Sequence, residues 1–378
     1  MKITVIGPAY PLRGGIAHHV YCLQQVLSRR GHTLQVISFR KLYPSMFFPG
    51  KTELDASSRA FDAGAERILD PLNPITWLRA MRTIKNFAPA AIIFQWWQPF
   101  FGPMVGSLIR LFQRQRFRCI VECHNVFSHE GTPFDRLLAR FALRTGDGFI
   151  THSQTDEADL RQVVRGKRIS VVSLPTPSEF LSRREPARDG RTILFFGKVR
   201  KYKGLEVLLR AMPKVLGQVE CQLKIVGEFY DSIEKYLDLI RELNLEKSVH
   251  IDDRYVPNEE VSGIFESADV LVLPYLSATQ SAVAQIALRN GLPLIASRTG
   301  GLAEVIDENV NGLLCFPGDA DSLASQIVAY FNQNLGPVFA KNITSKSTPV
   351  EELSKVVEAL INGQETVARW ETEARHLA

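Results

Sequence analysis

The chain has few cysteines, little net charge and no apolar run long enough to cross a bilayer. Its five cysteines, Cys22, Cys119, Cys123, Cys221 and Cys315, are odd in number and scattered. Neither a disulfide framework nor a metal-ligand spacing fits them, so a reducing, cytosolic setting is expected. The 45 Lys and Arg against 40 Asp and Glu leave a net charge of +5. That surplus is too small for a nucleic-acid surface, yet compatible with an anionic ligand or an anionic membrane face. The most membrane-like window, 90–108, carries no charge but is interrupted by Gln95, Gln98, Pro99, Gly102 and Pro103. A buried strand, a turn and a helix explain it better than a membrane span. The opening run, 1–7, reaches a glycine too soon for a secretory signal and reads as a strand. With 45% hydrophobic and 22% charged residues, disorder, collagen and coiled coil are excluded.

What is present is an alternation of short apolar runs with helical patterns over 378 residues, a length that implies two domains. Strands are predicted at 3–6, 34–37, 91–94, 119–122 and 148–151. Helices are predicted at 15–29, 75–86, 103–113, 135–144 and 155–163. Apolar strands alternating with helices imply a parallel sheet covered on both faces. Segment 176–191 (TPSEFLSRREPARDGR) has no apolar periodicity and reads as a linker between a first domain, 1–175, and a second domain, 192–331. There the alternation resumes, with strands at 192–196, 222–226, 249–252, 270–273, 294–296 and 313–316. Helices are expected at 205–216, 233–243, 258–267, 282–289 and 319–331. The remainder, 332–378, is polar and helical, as a crossover packing back on the first domain would be. The predicted fold is therefore α/β: two Rossmann-like parallel-sheet domains facing a cleft at the carboxyl ends of their strands, plus a C-terminal helical crossover segment.

Four strand-to-helix loops carry the chemistry. The first, 7–16 (GPAYPLRGGI), places Gly14 and Gly15 at a helix start, where backbone N–H groups can face a ligand; a tight turn without a ligand is the alternative. It lacks the dinucleotide fingerprint. The second, 195–205 (FFGKVRKYKGL), sets Lys198, Arg200, Lys201 and Lys203 between Gly197 and Gly204. A diphosphate would gain charge-assisted bonds and a helix N-terminus there; solvated surface is the alternative. The third, 273–282 (LPYLSATQSA), offers hydroxyls and amide donors at Gln280, Ser281 and Ala282. The fourth holds Gly300, Gly301 and Glu304. No Asp or Glu occurs from 270 to 303, so nothing acidic in that stretch would repel a phosphate.

Along essentially its whole length the chain resembles the retaining group-1 (family 4) glycosyltransferases of the GT-B type. The matching segments are 11–16 (PLRGGI), 123–125 (CHN), 196–205 (FGKVRKYKGL), 226–228 (VGE), 268–275 (ADVLVLPY) and 291–305 (GLPLIASRTGGLAEV). The resemblance implies a nucleotide-sugar donor on the second domain and a saccharide or lipid-linked acceptor on the first. It gives Lys203 the family lysine's role at the diphosphate, with Lys198 and Arg200 competing for the arginine's. His124 falls near the transferred sugar, a core histidine being the alternative. Gly14, Gly15, Gly197, Gln280, Ser281, Ala282, Gly300, Gly301 and Glu304 complete the expected donor site. Ala278 and Ile286 stand where most relatives carry two glutamates. In the absence of an acidic cluster, no metal or cofactor is expected; the nucleotide sugar is a substrate. A polysaccharide or glycan product, no nucleic acid and a cytoplasmic site are expected. Two other readings fit the architecture: a sugar-nucleotide epimerase, or a degenerate glycan-binding homologue that steadies a partner. The aromatic and basic sectors 39–51 and 96–101 follow strand ends of the acceptor domain and suit sugar rings, a lipid carrier or peripheral contact with an anionic membrane.

Overall fold

A computed structural model describes residues 1–43, 52–127, 132–181, 190–343 and 349–364. Seven strands form the first sheet: β1 (Lys2–Ile6), β2 (Thr33–Phe39), β3 (Glu66–Leu69), β4 (Ala91–Trp96), β5 (Arg118–Cys123), β6 (Gly148–Thr151) and β7 (Arg168–Val171). They lie in the order β3-β2-β1-β4-β5-β6-β7, and every pairing is parallel. The second sheet comprises β8 (Thr192–Phe196), β9 (Gln222–Val226), β10 (Val249–Asp252), β11 (Val270–Leu273), β12 (Leu294–Ser297) and β13 (Gly312–Cys315). Its order is β10-β9-β8-β11-β12-β13, again all parallel. In both sheets the order reverses beside the first strand, at β1/β4 and at β8/β11, and ligands of such sheets bind at this switch point.

Parallel neighbours require crossovers. The first sheet uses α1 (Gly15–Arg29), α2 (Pro74–Phe87), α3 (Gly102–Arg114), α4 (Pro133–Leu143) and α5 (Gln154–Val163). The second uses α6 (Leu205–Leu216), α7 (Glu234–Glu242), α8 (Val261–Glu266), α9 (Ala282–Arg289), α10 (Gly300–Glu304) and α11 (Ala320–Asn332). All residues of β4 and β11 are buried, which is why β11 appears in the sequence as an unbroken apolar run and β4 as one interrupted only by Gln95. Strands β3 and β7 were not expected. They are four-residue edge strands with one buried residue each, too little burial to write an apolar pattern. Helix α10, read from sequence as a glycine turn, is five residues long.

The aromatic sector after β4 is mostly core. Trp96 and Phe101 are fully buried, while Tyr43, Trp97 and Phe100 pack against the same cluster. Trp97 Nε1 donates to Tyr43 at 3.1 Å, and Tyr43 to Gln98 at 2.8 Å. The expected stacking of Trp96 and Phe101 on a sugar or lipid is therefore corrected: both rings fill the space under α3. Residues 44–51 of the other sector lie outside the described residues. All five cysteines are buried and free, and no helix among the described residues is long and apolar enough to cross a membrane.

Beyond α11 the chain continues through α12 (Leu335–Asn342) to α13 (Pro349–Asn362). Helix α13 packs on α1, sharing a core with Val20, Leu23 and Leu27 through Leu353, Val357 and Leu360. Residues 365–378 lie outside the described residues. Arg30 donates twice to Glu358, at 2.7 Å each, and His32 Nε2 lies 2.8 Å from the same carboxylate. These hydrogen bonds, Arg30's first, hold the Glu358 carboxyl down at about 2. Because the folded value lies below the unfolded one, the clasp contributes fully above the ordinary carboxyl range and fades as pH falls toward 2. Glu358→Gln should cost about 1 kcal/mol at neutral pH and flatten the acid limb of a melting-temperature profile.

Candidate donor cleft

The second sheet builds a cationic pocket at its switch point. Gly197 turns the chain after β8 at a φ of 102°; a Cβ there would stand 3.4 Å from Lys203 Nζ and 3.5 Å from Val283 Cγ2. A short 3-10 turn, Lys201–Lys203, then ends at Gly204, where a Cβ would meet Pro274 O at 1.9 Å. Only glycine allows this loop to lie against the one after β11. The result divides the basic run: Lys203 is buried while Lys201 is exposed. Lys203 Nζ lies 5.1 Å from the Tyr275 ring, and Lys198 and Arg200 both lie over Tyr230 at 5.3 and 4.9 Å. Burial first, then repulsion from Arg13, Arg200 and Lys203, lowers Lys198 to about 8. Burial likewise pulls Lys203 down, with Arg200 adding to it. No carboxylate among the described residues is hydrogen-bonded to Lys198, Arg200 or Lys203.

The first domain faces these cations with a helix start. Gly14, at a φ of 119°, points toward Lys198, whose Nζ is 3.7 Å from where its Cβ would be. Helix α1 follows with no side-chain cap and no acid in its first turn. Helix α9, beside Gly197, also lacks an acid there; Ser281 caps it by accepting from Ala284 N at 3.2 Å. Two helix N-termini and three cations thus surround one space, an arrangement that favours a multiply charged anion. Arg13 reaches across to pair with Glu228, both side chains being buried, and its guanidinium sits 4.7 Å over the Tyr255 ring.

Behind this space lies a buried polar network. Gln95 and Glu122 are register partners on β4 and β5. Glu122 receives Gln95 Nε2 at 2.7 Å on one oxygen; on the other it meets His19 Nε2 at 2.8 Å and His152 Nε2 at 3.4 Å. Burial alone would raise the Glu122 carboxyl, but the two histidines override it and hold it well below the usual range. With its amide donating to the carboxylate, Gln95 presents Oε1 to His124 Nε2 at 2.6 Å. That fixes the proton on Nε2 and leaves Nδ1 as an acceptor. Burial, then the neighbouring His19 and His152, push His124 well below the ordinary imidazole range, so it is neutral at pH 7. Gly7 makes room for this network: a Cβ there would lie 2.5 Å from Gln95 Cγ. The ring nitrogens of His19, His124 and His152 come within 4.8 Å of one another, close enough to share an ion. One nitrogen of each is already engaged, by Glu122, Gln95 and Val172 O respectively, so a cation would have to compete with the carboxylate for His19.

The other expected site residues divide into two groups. Gln280 lies at the cleft, its Nε2 donating to His124 O at 3.3 Å while its Oε1 is buried without a partner. Thr279 bonds Asn125 across the cleft, and Ala282 opens α9. Gly300 and Gly301 pack tightly on the loop after β11: a Cβ on either would come within 2 Å of the Ala278 or Thr279 carbonyl. Glu304, expected at the donor, caps α5 of the first domain, accepting from Gln154 N at 2.7 Å and Thr155 N at 3.0 Å. Ala278 and Ile286 are buried apolar residues of the second domain's core. Sequence reasoning did not single out Arg13, Gln95, Glu122, His19 or His152.

Two switch-point sheets facing each other across a cation-lined cleft define a GT-B protein. Two family models match, Glycosyltransferase Family 4 over residues 13–179 and Glycosyl transferases group 1 over 190–333. The chain belongs to the group-1, family 4 glycosyltransferases. An uncharacterized glycosyltransferase of Methanocaldococcus jannaschii is 36% identical over 137 residues, which cover 36% of this chain and 34% of that protein. This match, like others among the curated relatives, spans about a third of the relative's length. Sucrose-phosphate synthase of Thermosynechococcus elongatus superposes with a TM-score of 0.73 at 19% identity, over 96% of this chain and 97% of that one. HepE of Anabaena, solved in complex with UDP, does so at 0.72 and 17%, over 96% and 100%. At these identities the likeness is one of fold.

Proposed function

We propose that the protein transfers a sugar from a nucleotide-sugar donor to a saccharide or glycolipid acceptor, with retention at the anomeric carbon and no metal. The observation that carries this reading is the pocket of Lys198, Arg200 and Lys203 between the N-termini of α1 and α9. Breaking the bond from the anomeric carbon to the diphosphate places growing negative charge on the leaving phosphate. Cations and amide dipoles already fixed around that position lower the barrier without reorganising. The neutral His124, its Nδ1 a hydrogen-bond acceptor, can receive a hydroxyl of the transferred sugar. Gln280 and the Ser281 hydroxyl take up donor contacts that Ala278 and Ile286 cannot make. A base from the protein is not required when the departing phosphate takes the acceptor's proton on the same face. Arg13–Glu228 and Thr279–Asn125 hold the two domains together, which aligns substrates and excludes water. The UDP complex of HepE, a protein of the same fold, supports a nucleotide in this cleft. The proposed setting is the cytoplasm, with a cell-surface glycan as product.

The absence of both glutamates supports a second reading, a glycan-binding homologue without turnover. A screen of nucleotide sugars with saccharide and glycolipid acceptors separates the two, read by nucleoside diphosphate release and by NMR of the product's anomeric configuration. Release with a retained product is expected; binding without release would favour the second reading, and an inverted product would refute retention. Excess chelator should leave turnover within about a factor of two, because the cations occupy the position a metal would serve. Complete loss restored by magnesium or manganese would overturn metal independence.

A further inference from the structure

On the outer face formed by α2, α3 and α4, the helices α2 and α4 carry large apolar side chains that no described residue covers. On α2, Ile75 is 70% and Leu78 49% exposed; on α4, Phe134 is 62%, Leu137 60% and Phe141 40% exposed. Spacings of three and four place each set along one stripe of its helix. The three helices are neighbours, α3 contacting both α2 and α4.

The charge on this face is almost entirely positive. From residue 71 to residue 121 there is no Asp or Glu, whereas Arg79, Arg82 and Lys85 lie on α2 and Arg110 and Arg114 on α3. Helix α4 adds Arg136 and Arg140; its one acid, Asp135, is held in the capping box with Thr132. The Arg110 guanidinium lies 4.0 Å from the Phe141 ring, so cation and aromatic occupy the same patch. The chain as a whole is nearly balanced, which makes this concentration local.

We infer that this face docks on an anionic lipid bilayer, the arginines meeting headgroups and the apolar stripes entering the interface. A polyanion such as nucleic acid would pair with the arginines but leave Phe134, Leu137 and Ile75 in water. A bilayer surface satisfies both features at once. Helix α2 begins just after the carboxyl end of β3, and Leu138 of α4 lies against Gly102 at the start of α3, shortly after β4, so Ile75 and the α4 stripe sit toward the cleft end of the domain. Docking there would present the acceptor side of the cleft to a lipid-carried sugar; this consequence rests on the transferase reading, whereas the docking does not.

The test is flotation of the full chain with phosphatidylcholine vesicles, with and without phosphatidylglycerol. Binding to the anionic vesicles is expected to exceed that to neutral ones at least about tenfold and to fall in high salt. Phe134→Ser with Leu137→Ser, and separately Arg136→Glu with Arg140→Glu, should each abolish it. Neither pair should change diphosphate release with a water-soluble acceptor. No flotation of the unaltered protein, or flotation of either variant pair equal to that of the unaltered protein, overturns the proposal, as does capture by heparin without binding to vesicles. Flotation that depends on these residues, together with no turnover of any donor, would sustain the docking and refute the transferase reading.

Discussion

Lys203→Ala should lower turnover of the donor about 10²–10³-fold, the loss associated with removing one preorganised charge-stabilising group. The fold should survive it. Lys203 is buried with no carboxylate among the described residues bonded to it, and burial already lowers its proton affinity. Removing an uncompensated cation relieves desolvation, so the melting temperature should stay level or rise. A residue that served only to pack the core would behave in the opposite way. Lys201→Ala, two residues earlier on the exposed side of the same turn, should change turnover less than about twofold. Equal losses for both variants would mean the basic run acts as a diffuse surface charge.

Glu122→Gln should lower kcat/KM about tenfold or more, although in this structure Glu122 reaches His124 only through Gln95. A neutral amide at position 122 no longer dictates which way the Gln95 amide points, and His124 can then exchange its Nε2–H for Nδ1–H. Nitrogen-15 NMR of the imidazoles reads that tautomer directly and needs no substrate. The substitution also removes the buried carboxylate that receives Gln95 and meets His19, and losing a hydrogen bond to a charged group can cost about 1.5–3 kcal/mol. Gln95→Met separates the effects, because it cuts the link to His124 while leaving the Glu122–His19 contact in place. It should lower turnover with a smaller stability loss. An unchanged His124 tautomer in both variants, with normal turnover, would contradict the positioning role.

Helices with a clear start and a continuous apolar stripe were legible to the residue: α1 after Gly14, α6 after Gly204 and α9 after Ser281. Strands buried on both faces were legible for the same reason. Edge strands β3 and β7 were not, since ERIL and RISV bury too little to stand out. The cations of the donor pocket were visible as a run between two glycines, but periodicity could not say that Lys203 turns in and Lys201 out. That follows from Gly204 meeting Pro274. The histidine network was hidden for another reason. Its members come from α1, β4, β5 and the segments just after β5 and β6, and only the register of β4 with β5 sets Gln95 beside Glu122. The available signal was a polar residue next to last in each of two largely apolar strands, AIIFQW and RCIVEC. Glu304 could not have been placed from sequence, because its partner is a helix of the other domain.

The central claim is that the pocket of Lys198, Arg200 and Lys203 binds the diphosphate of a nucleotide sugar. Titration calorimetry of the common nucleoside diphosphates against the unaltered protein and Lys203→Ala addresses it without knowledge of sugar or acceptor. At least one diphosphate should bind, its affinity falling about tenfold or more in Lys203→Ala, while the corresponding nucleoside should bind far more weakly to both. No binding by any nucleoside diphosphate or nucleotide sugar, or equal binding to both proteins, would contradict the account.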